Sequence, residues 1–200
     1  MFMMKKTVND PAGQYYLQDV PEMTSGFKLD AGNGFQFFLS YGALDRYGSG
    51  KWQQSDDQLS FHSRQWPGKD FMLLGSKATG DNHITVRITD KNPNVLRYVA
   101  ASLQRGERGS WQPADNNGLI YFPMQPVQDI FLISEFSPER SSYISVPDTT
   151  HNYFELRFEP WIMEYFFTDF RLTLTNKGLV GKHPMLVGDS YMYKRKKGFF

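Results

Sequence analysis

The feature that most constrains this chain is a two-residue alternation of apolar and polar side chains. In residues 83–89, Ile84, Val86 and Ile88 share one face, while polar side chains occupy the other. The same alternation recurs in residues 35–41, 153–159 and 170–175. Successive side chains of a β-strand point to opposite faces of the sheet, so each run predicts a half-buried antiparallel strand.

Turn-forming residues separate these runs at short intervals. Residues 31–34 read Ala-Gly-Asn-Gly and predict a hairpin, because Asn and Gly both accept positive φ. Residues 115–118 and 176–178 carry similar turn signals. Residues 95–104 suit either a short helical turn or a strand, and residues 161–167 show no clear amphipathic spacing. We therefore predict an all-β fold with at most one short helix.

We place the predicted domain or subdomain boundary in the polar, Gly-containing segment 75–82. We expect an N-terminal tail over 1–10, a β-meander over 11–80, a β-sandwich over 81–160 and C-terminal strands over 161–200. An open meander would leave its edge strands unpaired. We therefore expect the C-terminal strands to return to the first sheet, with residues 189–195 beside residues 13–18.

The first block resembles lipocalin-like small β-barrels. Gly13-Gln14-Tyr15 opens a strand, hairpins follow, and Gly50-Lys51-Trp52 supplies a Gly-x-Trp strand. The run Tyr41-Gly42-Ala43-Leu44-Asp45 is similar to one in a group of uncharacterised bacterial lipocalin-like β proteins. This resemblance covers about residues 11–65. It implies an antiparallel meander forming a partial barrel, and no activity.

Residues 83–135 are similar to transthyretin-like or carboxypeptidase-regulatory-like β-sandwich domains. An Asp-x-x-Gly turn at 115–118 leads into the aromatic strand 119–122, as in those modules. The charged segment 105–109 replaces their usual Gly and departs from the pattern. The resemblance implies a sandwich that acts as a spacer, a packing domain or a binding domain.

Composition and motifs exclude several common activities. Lys and Arg number 22 against 21 Asp and Glu, so no whole-molecule field attracts nucleic acid. The absence of Cys rules out disulfides, thiol nucleophiles and Cys-based metal sites. The four His residues are scattered, and neither a P-loop nor a Gly-x-Ser-x-Gly motif is present. We expect no cofactor, no metal and no enzymatic activity.

The candidate ligand-binding residues fall into two groups. Charged and aromatic residues of the first block could line a barrel mouth and bind a polar ligand group, or could instead form an ion pair between hairpins. Tryptophans in loops could stack on sugars or anchor a protein, or could simply pack locally. The candidates are Glu22, Tyr41, Asp45, Arg46, Trp66 and Trp111.

Three functions are compatible with these observations. The first is a non-enzymatic β-rich binding or structural protein whose partner is a small molecule or a protein. The second is a lipocalin-like carrier of a small apolar or amphipathic ligand, which requires an interior cavity. The third is a hydrolase whose His, acid and nucleophile come from distant segments. No signal peptide or transmembrane run is evident, so we expect a cytoplasmic protein, or a periplasmic or secreted one if a leader has been removed. A homo-oligomer is possible.

Overall fold

The computed structural model describes residues 10–42, 44–104 and 110–196 of the chain. The fold is all-β, as the alternation predicts, with one 3-10 helix at Pro93–Tyr98 in the described part. In chain order the strands are β1 (Gly13–Leu17), β2 (Met23–Leu29), β3 (Gly34–Tyr41), β4 (Leu44–Ser55), β5 (Gln58–His62), β6 (Phe71–Lys77), β7 (His83–Thr89), β8 (Val99–Ser102), β9 (Gln112–Pro113), β10 (Leu119–Pro123), β11 (Asp129–Ser134), β12 (Ser141–Ser145), β13 (Tyr153–Phe158), β14 (Phe170–Thr175), β15 (Gly178–Gly181) and β16 (Tyr191–Arg195).

Eight strands close into an antiparallel barrel in the circular order β1-β2-β3-β4-β5-β14-β15-β16. Each strand is hydrogen-bonded to two neighbours, which leaves no open sheet edge. Closure occurs between β1 and β16, where Tyr15 lies opposite Arg195 and Leu17 opposite Tyr193. The predicted return of the C-terminal strands to the first sheet is confirmed. The closed barrel is consistent with a lipocalin-like fold.

The β2–β3 hairpin forms where its turn residues predict it. Asn33 adopts φ 63°, a left-handed conformation that Asn tolerates better than most residues. One carboxylate oxygen of Asp30 accepts hydrogen bonds from the backbone N–H groups of Gly32 and Gly34, at 2.8 and 2.9 Å. This local network fixes the register that places Phe35 and Phe37 inside the barrel.

Aromatic side chains pack the barrel interior. The ring centroid of Phe27 lies 5.1 Å from that of Phe37, 5.0 Å from that of Phe61 and 5.3 Å from that of Tyr193. Tyr41 shares the sequence parity of the buried residues of β3, yet 49% of it is exposed. It is the last residue of β3, so it lies at the barrel rim, beyond the packed interior.

The segment from Glu164 to Asp169, which we call the plug segment, fills the interior further. The ring centroid of Phe167 lies 5.2 Å from those of both Phe35 and Phe37. Its carbonyl oxygen accepts a hydrogen bond of 2.8 Å from the N–H of Ser63. Gly48 makes room for the ring, because a Cβ at this position would lie 2.7 Å from a ring carbon of Phe167.

The chain divides into two compact units. The barrel unit comprises the described residues up to Gln65 and from Glu164 onward, and the second unit is Trp66–Met163. The second unit has two four-stranded sheets, ordered β10-β7-β13-β6 and β12-β11-β8-β9, consistent with a sandwich. The polar segment 75–82 lies inside this unit and not between the units, because β6 pairs with β13 over residues 71–77.

The alternating residues of the second unit form its core. Ile84, Val86 and Ile88 of β7 are buried, and so are Phe122 of β10 and Phe154, Leu156 and Phe158 of β13, the two strands beside it. The segment 95–104 combines both structures that its sequence suits, since the end of the 3-10 helix leads directly into β8. The helix begins after Asn92, whose side-chain oxygen accepts from the N–H of Asn94 at 3.1 Å.

Candidate functional site

The structure places the first group of predicted residues at one end of the barrel, on different faces of its wall. Glu22 directly precedes β2, whose first residue lies opposite Tyr41, and Asp45 lies opposite Ser40. Glu22, Tyr41 and Asp45 are exposed, whereas Arg46 is only 2% exposed and faces the interior. Consecutive residues of a strand point to opposite faces, so Asp45 and Arg46 cannot line the same surface.

Arg46 holds the plug segment in place. Its Nη2 donates to the backbone carbonyl of Glu164 at 3.3 Å, and its guanidinium carbon lies 5.6 Å from the ring centroid of Tyr165. The carboxylate of Glu164 is bound by Arg64, with Nε 3.2 Å from Oε1 and Nη2 2.5 Å from Oε2. A buried charge is tolerated when polar and ring contacts compensate its lost hydration. These contacts favour a structural role for Arg46.

A buried His–Ser contact near the same residues is also structural. Nδ1 of His183 accepts from the N–H of Met185 at 3.1 Å, so Nε2 carries the proton and donates to Ser25 Oγ at 3.1 Å. The Ser25 hydroxyl in turn donates to the carbonyl of Phe38 at 2.8 Å. Burial lowers the pKa of His183 to about 4. With both nitrogens engaged, this imidazole has no lone pair left to activate the serine.

The second unit brings together the three residue types that a hydrolase requires. Ser76 Oγ lies 2.8 Å from Nδ1 of His151, and Nε2 of His151 lies 3.7 Å from Oδ2 of Asp148. The distance between His151 Nε2 and Asp148 Oδ2 is too long for a hydrogen bond. The neighbouring N–H groups of Thr150 and His151 both donate to Asp148, at 2.8 and 3.2 Å, so neither is available to stabilise an oxyanion.

The two predicted tryptophans belong to the second unit and are half-buried. Nε1 of Trp66 donates to Asp70 Oδ1 at 3.1 Å, and Asp70 is also paired with Arg140, whose Nε lies 2.8 Å from Oδ2. The guanidinium carbon of Arg140 lies 5.7 Å from the Trp66 ring centroid. These contacts favour local packing for Trp66. Trp111 directly precedes β9.

The outer wall of the barrel presents a concave surface of a different kind, which we call the outer-wall groove. It has a volume of about 460 Å³ and lies over β1 to β4. One cross-strand row contains Tyr16, Gly26, Phe38 and Tyr47, aligned by the register of the four strands. The rings of Tyr16 and Phe38 meet edge to face, with centroids 5.7 Å apart. We take this groove as the candidate functional site.

The next cross-strand row supplies polar groups to the outer-wall groove. Gln14, Lys28, Gln36 and Ser49 lie opposite one another across the same four strands. Gln14 Oε1 accepts from the Tyr16 hydroxyl at 3.2 Å. Lys28 makes no ion pair or side-chain hydrogen bond with any residue that the structure describes. The groove therefore combines aromatic surface, amides, a hydroxyl and one cation.

Sequence reasoning missed this site, although a signal for it exists. Strict alternation would place polar residues outside the barrel, but Tyr15-Tyr16 and Phe37-Phe38 are consecutive aromatic pairs. One member of each pair is buried in the core and the other is half-buried on the outer wall. An aromatic residue at an outward position of a half-buried strand is thus the feature that marks the groove.

The described residues contain no group of three His, Asp or Glu side chains that could hold a metal ion. None of the helices in that part of the chain is long and apolar enough to cross a membrane. No protein-family model matches the chain, and no curated protein matches it either.

Proposed function

We propose that the protein is a non-enzymatic binding protein, in which the barrel is a rigid support and the outer-wall groove binds a small molecule. The observation that carries the proposal is the placement of free volume: the interior is packed with rings, while a groove of about 460 Å³ lies outside. Small-molecule sites are typically concave, of roughly 300–1,000 Å³, and combine aromatic side chains with a few polar groups. The transthyretin-like resemblance of residues 83–135 adds a second module of the spacer or binding type.

The lipocalin-like carrier is the alternative that the interior packing disfavours. A carrier needs an internal cavity, and Phe167 occupies the centre of the described core. Titration with a fluorescent fatty acid tests this alternative. We expect no saturable binding, either by the native protein or by the variant Phe38→Ala, whose change lies outside the barrel. Saturable binding that survives Phe38→Ala would support an interior site.

A hydrolase centred on Ser76 is the other alternative, favoured by its 2.8 Å contact with His151. An activated serine reacts with fluorophosphonates, whereas an ordinary serine does not. We expect no covalent labelling of the native protein by mass spectrometry. Labelling of Ser76 that disappears in His151→Ala would replace the binding proposal with the hydrolase.

Backbone amide shifts in NMR spectra test the proposal directly. The native protein is titrated with a library of small polar and aromatic fragments, and we expect the hits to shift amides of residues 14–16, 26–28, 36–38 and 47–49. Phe38→Ala should remove these shifts, since its ring forms the middle of the groove. Tyr41→Ala is the matched control, because Tyr41 is an exposed aromatic of the same strand that does not line the groove. Hits that map elsewhere would contradict the proposal.

A further inference from the structure

The aromatic row of the outer-wall groove presents the ring of Phe38 beside that of Tyr16, at an interplanar angle of 63°. The Phe38 ring lies across Gly26, with ring atoms 3.1 Å from the position that a Cβ at residue 26 would take. Any side chain at residue 26 would displace this ring, and its Cβ would also collide with the carbonyl oxygen of Tyr15. Tyr16 meets the ring from the side. The Phe38 ring lying over Gly26 offers a face on which a sugar ring can stack through its C–H groups.

The polar row supplies donors and acceptors beside that surface. Each Gln amide offers both a carbonyl acceptor and N–H donors, and a Ser hydroxyl acts in either role. The side chains of Gln36 and Ser49 are not hydrogen-bonded to any described residue. A purely apolar ligand would cover these groups and displace their water without replacing its hydrogen bonds. A ligand carrying several hydroxyl groups would satisfy them.

The charge of the groove indicates which charge its ligand carries. Lys28 is its one charged lining residue, and no carboxylate lines it. A second surface pocket, beside β14 and β15, is different, because its Arg171 is paired with Asp169 and its Lys182 with Asp189. The ammonium group of Lys28 is not neutralised in this way, so it favours an anionic group on the ligand.

We propose that the outer-wall groove binds an acidic oligosaccharide, whose sugar rings stack on Phe38 and the neighbouring tyrosines and whose carboxylate pairs with Lys28. This inference rests on the proposed function and specifies its ligand class. A surface for another protein is the competing use of such a groove, but the hydrogen-bonding row beside the rings and the volume of about 460 Å³ favour a small, hydroxylated ligand.

The test is an NMR titration of the full chain with a trimer of galacturonic acid and with the methyl ester of that trimer. We expect the acid to shift groove amides, and the ester to bind about two- to fivefold more weakly, because it cannot pair with the ammonium group of the exposed Lys28. Lys28→Gln should weaken binding of the acid by a similar factor. Lys177→Gln, an exposed lysine in the β14–β15 turn, should leave it unchanged.

Three outcomes would overturn the inference. If the acid and the ester bind equally well, Lys28 does not pair with the carboxylate of the ligand. If neither binds, the ligand is not an oligosaccharide of this kind. Groove resonances that broaden with protein concentration alone would indicate self-association at this surface. In each of these cases the proposed function survives if library fragments still shift the groove amides, whereas it fails if no fragment does.

Discussion

At the scale of the residue, His183 makes the barrel sensitive to acid. Burial lowers its pKa to about 4 in the folded protein, while an unfolded chain has the ordinary value near 6.5. As the pH falls below 6.5, the imidazole of His183 binds a proton in the unfolded state but not in the folded state. The free energy of unfolding therefore decreases until about pH 4. The pKa difference corresponds to a loss of about 3 kcal/mol of unfolding free energy. Above pH 7 this residue adds no pH dependence.

Denaturant unfolding at pH 7.5 and pH 4.5 measures this loss. The matched variant is His183→Gln, which retains a donor and an acceptor but does not titrate. Carboxylates elsewhere contribute equally to both proteins, so the difference between them isolates His183. We expect the native protein to lose about 2–3 kcal/mol more than the variant. Equal losses would show that His183 is protonated in the folded state.

At the scale of the element, the plug segment should contribute as much as a strand. Phe167 is buried among five aromatic rings, so Phe167→Ala should lower the unfolding free energy by about 3–5 kcal/mol through lost burial and a residual cavity. Thr168→Ala, its exposed neighbour, should stay within about 0.5 kcal/mol. Chemical denaturation of both variants checks the pair. Similar small effects would mean that Phe167 does not support the barrel.

The closing strand β16 offers a second matched pair. Tyr193 is fully buried, and burial raises its pKa, whereas Lys194 faces solvent. Tyr193→Ala should lower the unfolding free energy by about 3–5 kcal/mol, as for other large core residues. Lys194→Ala should change it by less than about 0.5 kcal/mol. Amide exchange in residues 14–17 provides the independent readout, because these residues pair with β16. Unchanged exchange in Tyr193→Ala would contradict the prediction.

Sequence reasoning succeeded for elements whose local pattern matches their environment. Residues 83–89 alternate strictly and form β7 with Ile84, Val86 and Ile88 buried. The position of the plug segment could not be predicted from the local sequence pattern, because Phe167 is held by contacts with strands more than 100 residues earlier. Nor did sequence reasoning place Arg46 inside the barrel, since an isolated Arg in a strand is ordinarily an exposed residue. The burial of Arg46 depends on Glu164 and Tyr165, which only the fold brings near.

At the scale of the whole molecule, the barrel unit should fold without the inserted second unit. The chain leaves the barrel unit after Gln65 and re-enters it at Glu164. The ion pair between Arg64 and Glu164 holds the exit and the re-entry of the chain together. Replacing residues 66–163 by a short Gly-Ser linker should therefore preserve the barrel. Cooperative thermal unfolding and dispersed NMR amide signals are the expected results. A disordered product would show that the barrel requires the second unit.

The pairing of β5 with β14 has a consequence for biosynthesis. Phe61 and Phe170, which face each other across this junction, are separated by more than a hundred residues, and closure also needs β16. A ribosome adds about 5–20 residues per second, so the first five strands wait several seconds or more for their partners. During that interval β1 and β5 are exposed edges at which nascent chains can associate. The yield of native protein should therefore depend on translation speed and on chaperones that shield these edges, more than on the stability of the finished barrel.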